Sequence, residues 1–203
     1  MVNANLELSK KEFDVIINSD FILTKNRVIE KIVALYGVLS EAYKIELNKY
    51  TLCLPKEIFA VPPKIYKGEQ YKNLPYVMLD YPRCFSKTDV FAIRSFFWWG
   101  NYFSITLHIS GKYFKMFADK ISAFIKNEKN KDWFFGINES EWEHHFEKNN
   151  YVLFDELKVI EESNFKNRQF IKIANKLLLE NWQSAANFYL MHYTALLKML
   201  CED

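Results

Sequence analysis

Glycine and proline are scarce in this chain, with five of each in 203 residues. No GxGxxG, GxxxxGK[ST] or GxSxG run occurs. A phosphate-cradling loop therefore has little to be made from, and nucleotide-dependent chemistry is not expected. No cofactor is implied.

Cysteine is sparse too. Cys53, Cys84 and Cys201 are odd in number, far apart and without a CxxC pair. That excludes a zinc ribbon or a thioredoxin-like motif. The chain lacks an HExxH pair as well. Its one dense run of ligand-type residues, Glu141, Glu143, His144, His145 and Glu147, needs further ligands from elsewhere to hold a metal. It reads as a solvated polar turn, and no metal site is expected.

Charge of one sign is missing: 27 basic against 25 acidic residues leave +2. The basic pairs and clusters, such as Lys10 with Lys11, are short or interrupted. A nucleic-acid binder carries a basic excess or stripe, so no nucleic-acid partner is expected. Arginine occurs four times, at Arg27, Arg83, Arg94 and Arg168, against 23 lysines.

A long hydrophobic span is absent. Residues 95–111 hold no formal charge, close to the lower limit of about 17 for a spanning helix. Gly100 and Asn101 break the stretch, and Ser104, Thr106, His108 and Ser110 then alternate with apolar residues. That is a strand period, and a lone hairpin cannot cross a bilayer. No membrane partner is expected. The first residues show no apolar leader core, so the expectation is a cytoplasmic protein with reduced thiols.

What the chain does have is a folding composition. Half of it is hydrophobic and 26% is charged. A chain of this length buries roughly 70% of its unfolded surface without a disulfide or metal staple. The 17% aromatic content carries less functional weight, because Phe and Tyr share AT-rich codons with the abundant Lys, Asn and Ile.

Organisation follows from periodicity. Ser9 and Glu12 fit a capping box before a short helix. Thr24 could cap a longer one, where Val28, Ile32, Leu35, Leu39, Ala42 and Tyr43 recur at helical spacing to about residue 48. Strands are expected over residues 71–81, interrupted at Pro75, then over 90–99 and 102–110. A loop over 82–89 and a two-residue turn at Gly100 and Asn101 would join them. Residues 113–126 read as an amphipathic helix, 133–137 as a short strand, 140–143 as a helical turn, and 151–154 as undecided. A helix would begin near Asp155, and another would run from 167 to about 200. The expected fold class is α+β in a single domain over 1–203: helical over 1–50, mainly β over 64–111, mainly helical over 112–203.

The turn at Gly100 and Asn101 fixes the facing of the hairpin. One face would carry Phe97, Trp99, Tyr102, Ser104, Thr106 and His108. The other would be apolar except for Arg94, with Asp80 on a neighbouring strand as its partner. A largely apolar surface with a few placed polar groups is how small-molecule pockets are lined. The candidate ligand site is therefore Arg94, Phe97, Trp99, Tyr102, Thr106 and His108. Asp80 and Arg94 form either a structural pair or a clamp for a carboxylate or phosphate. Cys84 with His108 is the candidate thiol–imidazole pair. His192, on the apolar C-terminal helix, reads as a core histidine.

Three function classes fit. The first is a binder of a small apolar or aromatic ligand on a helix-covered sheet. The second is a protein–protein or homo-oligomeric partner using the apolar C-terminal helix. The third is an enzyme using His108 with Asp80, Arg94 or Cys84.

Overall fold

The computed structural model describes residues 6–159 and 168–202. The fold is α+β. A seven-stranded sheet in the order β1-β2-β3-β4-β7-β5-β6 is antiparallel at each pairing. Its strands are β1 (Lys64–Tyr71), β2 (Leu74–Phe85), β3 (Val90–Trp98), β4 (Tyr102–Ser110), β5 (Phe134–Gly136), β6 (Tyr151–Leu153) and β7 (Phe170–Leu178). The helices are α1 (Lys10–Ile16), α2 (Ser19–Leu47), α3 (Gly111–Lys126) and α4 (Ala185–Cys201). Among the described residues no helix is long and apolar enough to cross a membrane.

Helices cover one face of the sheet. α2 turns Ile32, Tyr36, Leu39, Tyr43 and Leu47 inward, and α4 contributes Tyr189, Tyr193, Leu196 and Leu200. Sheet residues Val77, Leu79, Phe91, Ile93, Phe97, Phe103, Ile105, Leu107, Ile171 and Ile173 meet them in one continuous core. Fully burying a side chain of this kind contributes roughly 1.5–3 kcal/mol. The core tyrosines keep their hydroxyls paired, as buried polar groups must. Tyr36 and Tyr189 hydroxyls lie 2.8 Å apart, and Tyr43 reaches Ser95 Oγ at 2.9 Å.

The capping box forms as the sequence suggests: Glu12 N–H reaches Ser9 Oγ at 3.3 Å, and Ser9 N–H reaches the Glu12 carboxylate at 2.7 Å. The long helix starts earlier than Thr24, because Asn18 accepts from Asp20 N–H and caps it. Lys72 and Asn73, both at positive φ, make a turn between β1 and β2. The break expected at Pro75 therefore falls at this turn instead: Tyr71 ends β1, and β2 runs unbroken from Leu74 through Pro75. β2 also runs on to Phe85 through the expected loop. Gly111 turns the chain from β4 into α3 at φ 57°, where a Cβ would meet the Asp89 carboxylate at 2.1 Å. Only glycine fits there.

Two expectations are overturned in ways that reshape the site. Trp98, not Trp99, pairs with Tyr102. The connection is therefore three residues long, closed by Asn101 N–H donating to the Trp98 carbonyl at 3.0 Å with Gly100 at φ 72°. A positive φ at that third turn position is the type II pattern. The extra residue flips the facing of β3 relative to β4. The second is the long C-terminal helix. Its start at 167 lies outside the described residues, but 170–178 form β7, inserted between β4 and β5. The last third is thus part sheet, since β5, β6 and β7 all belong to it. Residues 140–143 form no helix, 151–153 are the edge strand β6, and a 3-10 turn occupies Phe154–Val159.

The thiols also differ from expectation. Cys53 and Cys201 form a disulfide that ties the chain just after α2 to the end of α4, leaving Cys84 free. Sequence separation hid this pair, which parallel packing of α2 and α4 brings together.

Candidate functional site

The face of the sheet away from the helices carries a buried polar cluster. Alternation places Asp80 on β2, Arg94 on β3, Thr106 and His108 on β4, and Lys172 on β7 on this side. Two cross-strand rows organise them. Asp80, Arg94, Thr106 and Ala174 stand side by side in one, and Ala92, His108 and Lys172 in the next. An irregular strap over residues 137–150 lies across the rows.

Arg94 is the hub. Its Nε donates to Asp80 Oδ1 at 2.7 Å and its Nη2 to Asp80 Oδ2 at 2.8 Å, a bidentate pair. Nη2 also donates to the Tyr66 hydroxyl at 2.9 Å, and Nη1 to His144 Nε2 at 3.2 Å. Burial works against the guanidinium charge, but the Asp80 carboxylate more than offsets it and holds the pKa above its ordinary value. Arginine has only donors, so His144 Nε2 accepts and its ring is neutral. Burial first, then the Arg94 charge, pushes the His144 pKa well down.

The strap is pinned at several points. The Tyr71 hydroxyl accepts from the backbone N–H of His144 and His145 at 2.8 and 3.0 Å. It donates to the Glu143 carboxylate at 3.1 Å. Tyr102 donates to the His144 carbonyl at 3.3 Å, and the Lys172 ammonium donates to the Glu143 carbonyl. Phe146 stacks on Tyr151 with ring centroids 4.5 Å apart. The strap is not the solvated turn that its composition suggests: His145 is 3% exposed, and the backbone on either side is held by the sheet.

His108 and Glu141 form a second contact, Nε2 to Oε2 at 2.9 Å. Burial, with Lys172 and Arg94 nearby, pushes His108 down to about 3. His108 is therefore neutral, and its Nε2 donates to the Glu141 carboxylate. Lys172 is 1% exposed, and burial beside Arg94 lowers it to about 8. Its ammonium lies 5.0 Å from the Tyr151 ring centre.

Two buried atoms find no hydrogen-bond partner of good geometry among the described residues: the Tyr151 hydroxyl and Asn150 Oδ1. The phenol sits near Thr106, and burial raises its pKa. Leaving such a group unsatisfied costs roughly 1–3 kcal/mol.

The six expected site residues divide. Arg94, Tyr102, Thr106 and His108 lie on the strapped face. Phe97 faces the opposite way into the helix-side core, and half-buried Trp99 sits in the turn, packed against that core. The three-residue turn is the cause. Cys84 and His108 are also on opposite sides. Cys84 pairs in register with Phe91 on the helix side, and its thiol donates to the Glu57 carbonyl at 3.2 Å. It lines a shallow cleft of about 300 Å³ with Glu57, Lys112 and Tyr113. Burial raises its pKa. Because the two side chains lie on opposite faces of the sheet, no thiol–imidazole pair with His108 forms. His192 is a core histidine, with Nδ1 2.8 Å from the Phe188 carbonyl. Sequence reasoning missed Tyr66, Tyr151 and Lys172. The alternation of Ile171, Lys172 and Ile173 was the available signal for the last.

Among the described residues no group of three or more His, Cys, Asp or Glu side chains is placed to hold a metal ion. No protein-family model matches the chain, and it matches neither a curated protein nor a solved structure.

Proposed function

We propose that the protein binds a small aromatic or apolar acid on the strapped face of its sheet. The carrying observation is the Tyr151 hydroxyl, buried next to Thr106 without a hydrogen bond of good geometry, in a cluster where two buried cations, Arg94 and Lys172, accompany a single fully buried carboxylate, Asp80. Glu141 and Glu143 reach the rim, so the interior favours an added anion. Tyr71, Phe96, Trp98 and Tyr102 supply the apolar wall. Placed polar groups within an aromatic surround are how ligand pockets gain orientation. The strap would lift to admit the ligand, since it is held by side-chain contacts and contributes no strand to the sheet.

This reading moves the ligand from the helix-covered face, which its own core fills. It ranks above the reading of an enzyme that uses His108 with Asp80, Arg94 or Cys84, since Asp80 is taken up by Arg94, Cys84 lies on the other side of the sheet, and the group that meets His108 is Glu141. A histidine near pKa 3 lies far from the operating pH at which general bases work best. The reading through the C-terminal helix keeps less surface, because α4 buries Tyr189, Tyr193, Leu196 and Leu200 internally and leaves Leu190 and Met191 exposed. The Cys53–Cys201 disulfide favours an oxidising compartment over the cytoplasmic placement expected from three free thiols.

Native mass spectrometry beside a denatured control reads retained small molecules directly. Thermal shift with benzoate, phenyl phosphate and phenol then separates anion recognition from aromatic recognition. We expect stabilisation by an anionic probe, weakened in Tyr151→Phe while the fold persists. No retained mass, with equal indifference to all three probes, would defeat the reading.

A further inference from the structure

Residues 6–24 are exposed without interruption, and α1 buries no residue at all. Nine of the large hydrophobic side chains exposed on the described surface lie in this stretch. Leu6, Phe13, Ile16, Ile17 and Phe21 are each half or more exposed. Scattered apolar residues are ordinary on a surface, but a contiguous patch of this kind marks an interaction site. A seven-residue helix is also too short to hold itself in water, where isolated helices below about 12–15 residues are marginal. The arm formed by α1 and the first turns of α2 needs a cover.

Charge says what that cover is. Residues 6–20, the tip, carry Glu7, Glu12, Asp14 and Asp20 against Lys10 and Lys11. Residues 21–31, the base, carry Lys25, Arg27 and Lys31 against Glu30. The tip is thus net −2 and the base net +2; Lys25 is paired within the chain to Glu69, which leaves Arg27 and Lys31 as the outward cations of the base. An acidic tip is the wrong sign for an anionic lipid surface, where interfacial helices carry Lys and Arg. The gradient is self-complementary instead. Antiparallel pairing about a two-fold axis sets the tip of one arm on the base of another. A two-fold interface requires that match, with the same patch on both sides.

We infer that the N-terminal arm is a homodimerisation element. Two copies of this chain pair their arms antiparallel, cover the exposed apolar residues in a bundle of four short helical segments, and align Asp14 and Asp20 with Arg27 and Lys31 of the other copy. Arg27 and Lys31 are four apart on α2 and share its face. The pairing uses none of the residues of the strapped face, so it stands independently of the ligand reading.

Sedimentation velocity of the full chain across a concentration series tests this. The wild type sediments as a dimer. Ile16→Asp with Phe21→Asp raises the dissociation constant at least about a hundredfold, the scale expected when two apolar anchors become charges. Its circular dichroism and melting temperature measured as a monomer stay those of the intact body. Charge reversal supplies a second route should that variant misfold. Asp14→Lys with Asp20→Lys weakens the dimer, and adding Arg27→Glu with Lys31→Glu restores it. A wild type that stays monomeric at high-micromolar concentration overturns the inference. So does a dimer that survives both sets of substitutions, or a reversal that the compensating pair does not rescue.

Discussion

Arg94 and Asp80 face each other directly across β3 and β2, joined by two hydrogen bonds of 2.7 and 2.8 Å and almost wholly out of water. Breaking a buried pair by removing one partner costs roughly 3–5 kcal/mol, whereas replacing both with apolar residues is often neutral. Arg94→Leu and Asp80→Leu should each destabilise on that scale. The double variant should be more stable than either single one. Urea unfolding of the three variants measures the coupling, and simple additivity would show that the two charges are independently solvated.

The histidines set a second expectation. His108, His144, His145 and His192 are all held below their ordinary pKa, with burial the first cause in each. The unfolded chain therefore takes up protons that the folded one refuses. Stability is full above about pH 6.5, the ordinary histidine value. It falls as pH drops from there towards the folded value near 3 for His108. Melting temperatures between pH 7.5 and pH 4.5 should decline steeply, and His108→Gln should flatten the curve. A profile level down to pH 5 would mean that these rings are reached by water.

Tyr151→Phe removes a hydroxyl that has no good hydrogen-bond partner. The expected effect is unchanged or increased stability, up to about 1 kcal/mol, because an unsatisfied buried group is lost at little packing cost. Loss of more than that would mean that Thr106 or a bound molecule satisfies the phenol.

Thiol chemistry offers a third check. The native protein should show one thiol to a sulfhydryl reagent, Cys84, reacting slowly because burial raises its pKa. Reduction in denaturant should reveal three. The disulfide closes a separation of 148 residues, which on the chain-entropy account is worth about 5 kcal/mol. Cys53→Ser should therefore lower the urea midpoint markedly.

Local pattern carried α1, α2, α3 and the strands β2 to β4 into view. The α2 stripe from Ile29 to Tyr43 is long and periodic, and the Ser9 cap is a short-range signal, so both were legible. The facing of the hairpin was not. It turns on whether Trp99 belongs to a strand or to the turn, and Gly100 and Asn101 are compatible with either. β7 was concealed because its alternation at Ile171, Lys172 and Ile173 is short and Ala174, Asn175, Lys176, Leu177 and Leu178 fit a helix as readily, and most of its neighbours on the sheet are far away in sequence. The pairing of Asp80 with Arg94 was readable because one buried cation in an apolar row demands an anion. Its neighbours Tyr66, His144 and Lys172 come from three separate parts of the chain, and only the folded sheet brings them together.

The disulfide also decides how the molecule bears load. Residues 54–200 lie inside a covalent loop closed between Cys53 and Cys201. Tension applied at the two ends passes from α2 through the sulfur bridge and out past Glu202. The arm and α2 can be drawn out, but every strand of the sheet stays slack until the bridge is reduced.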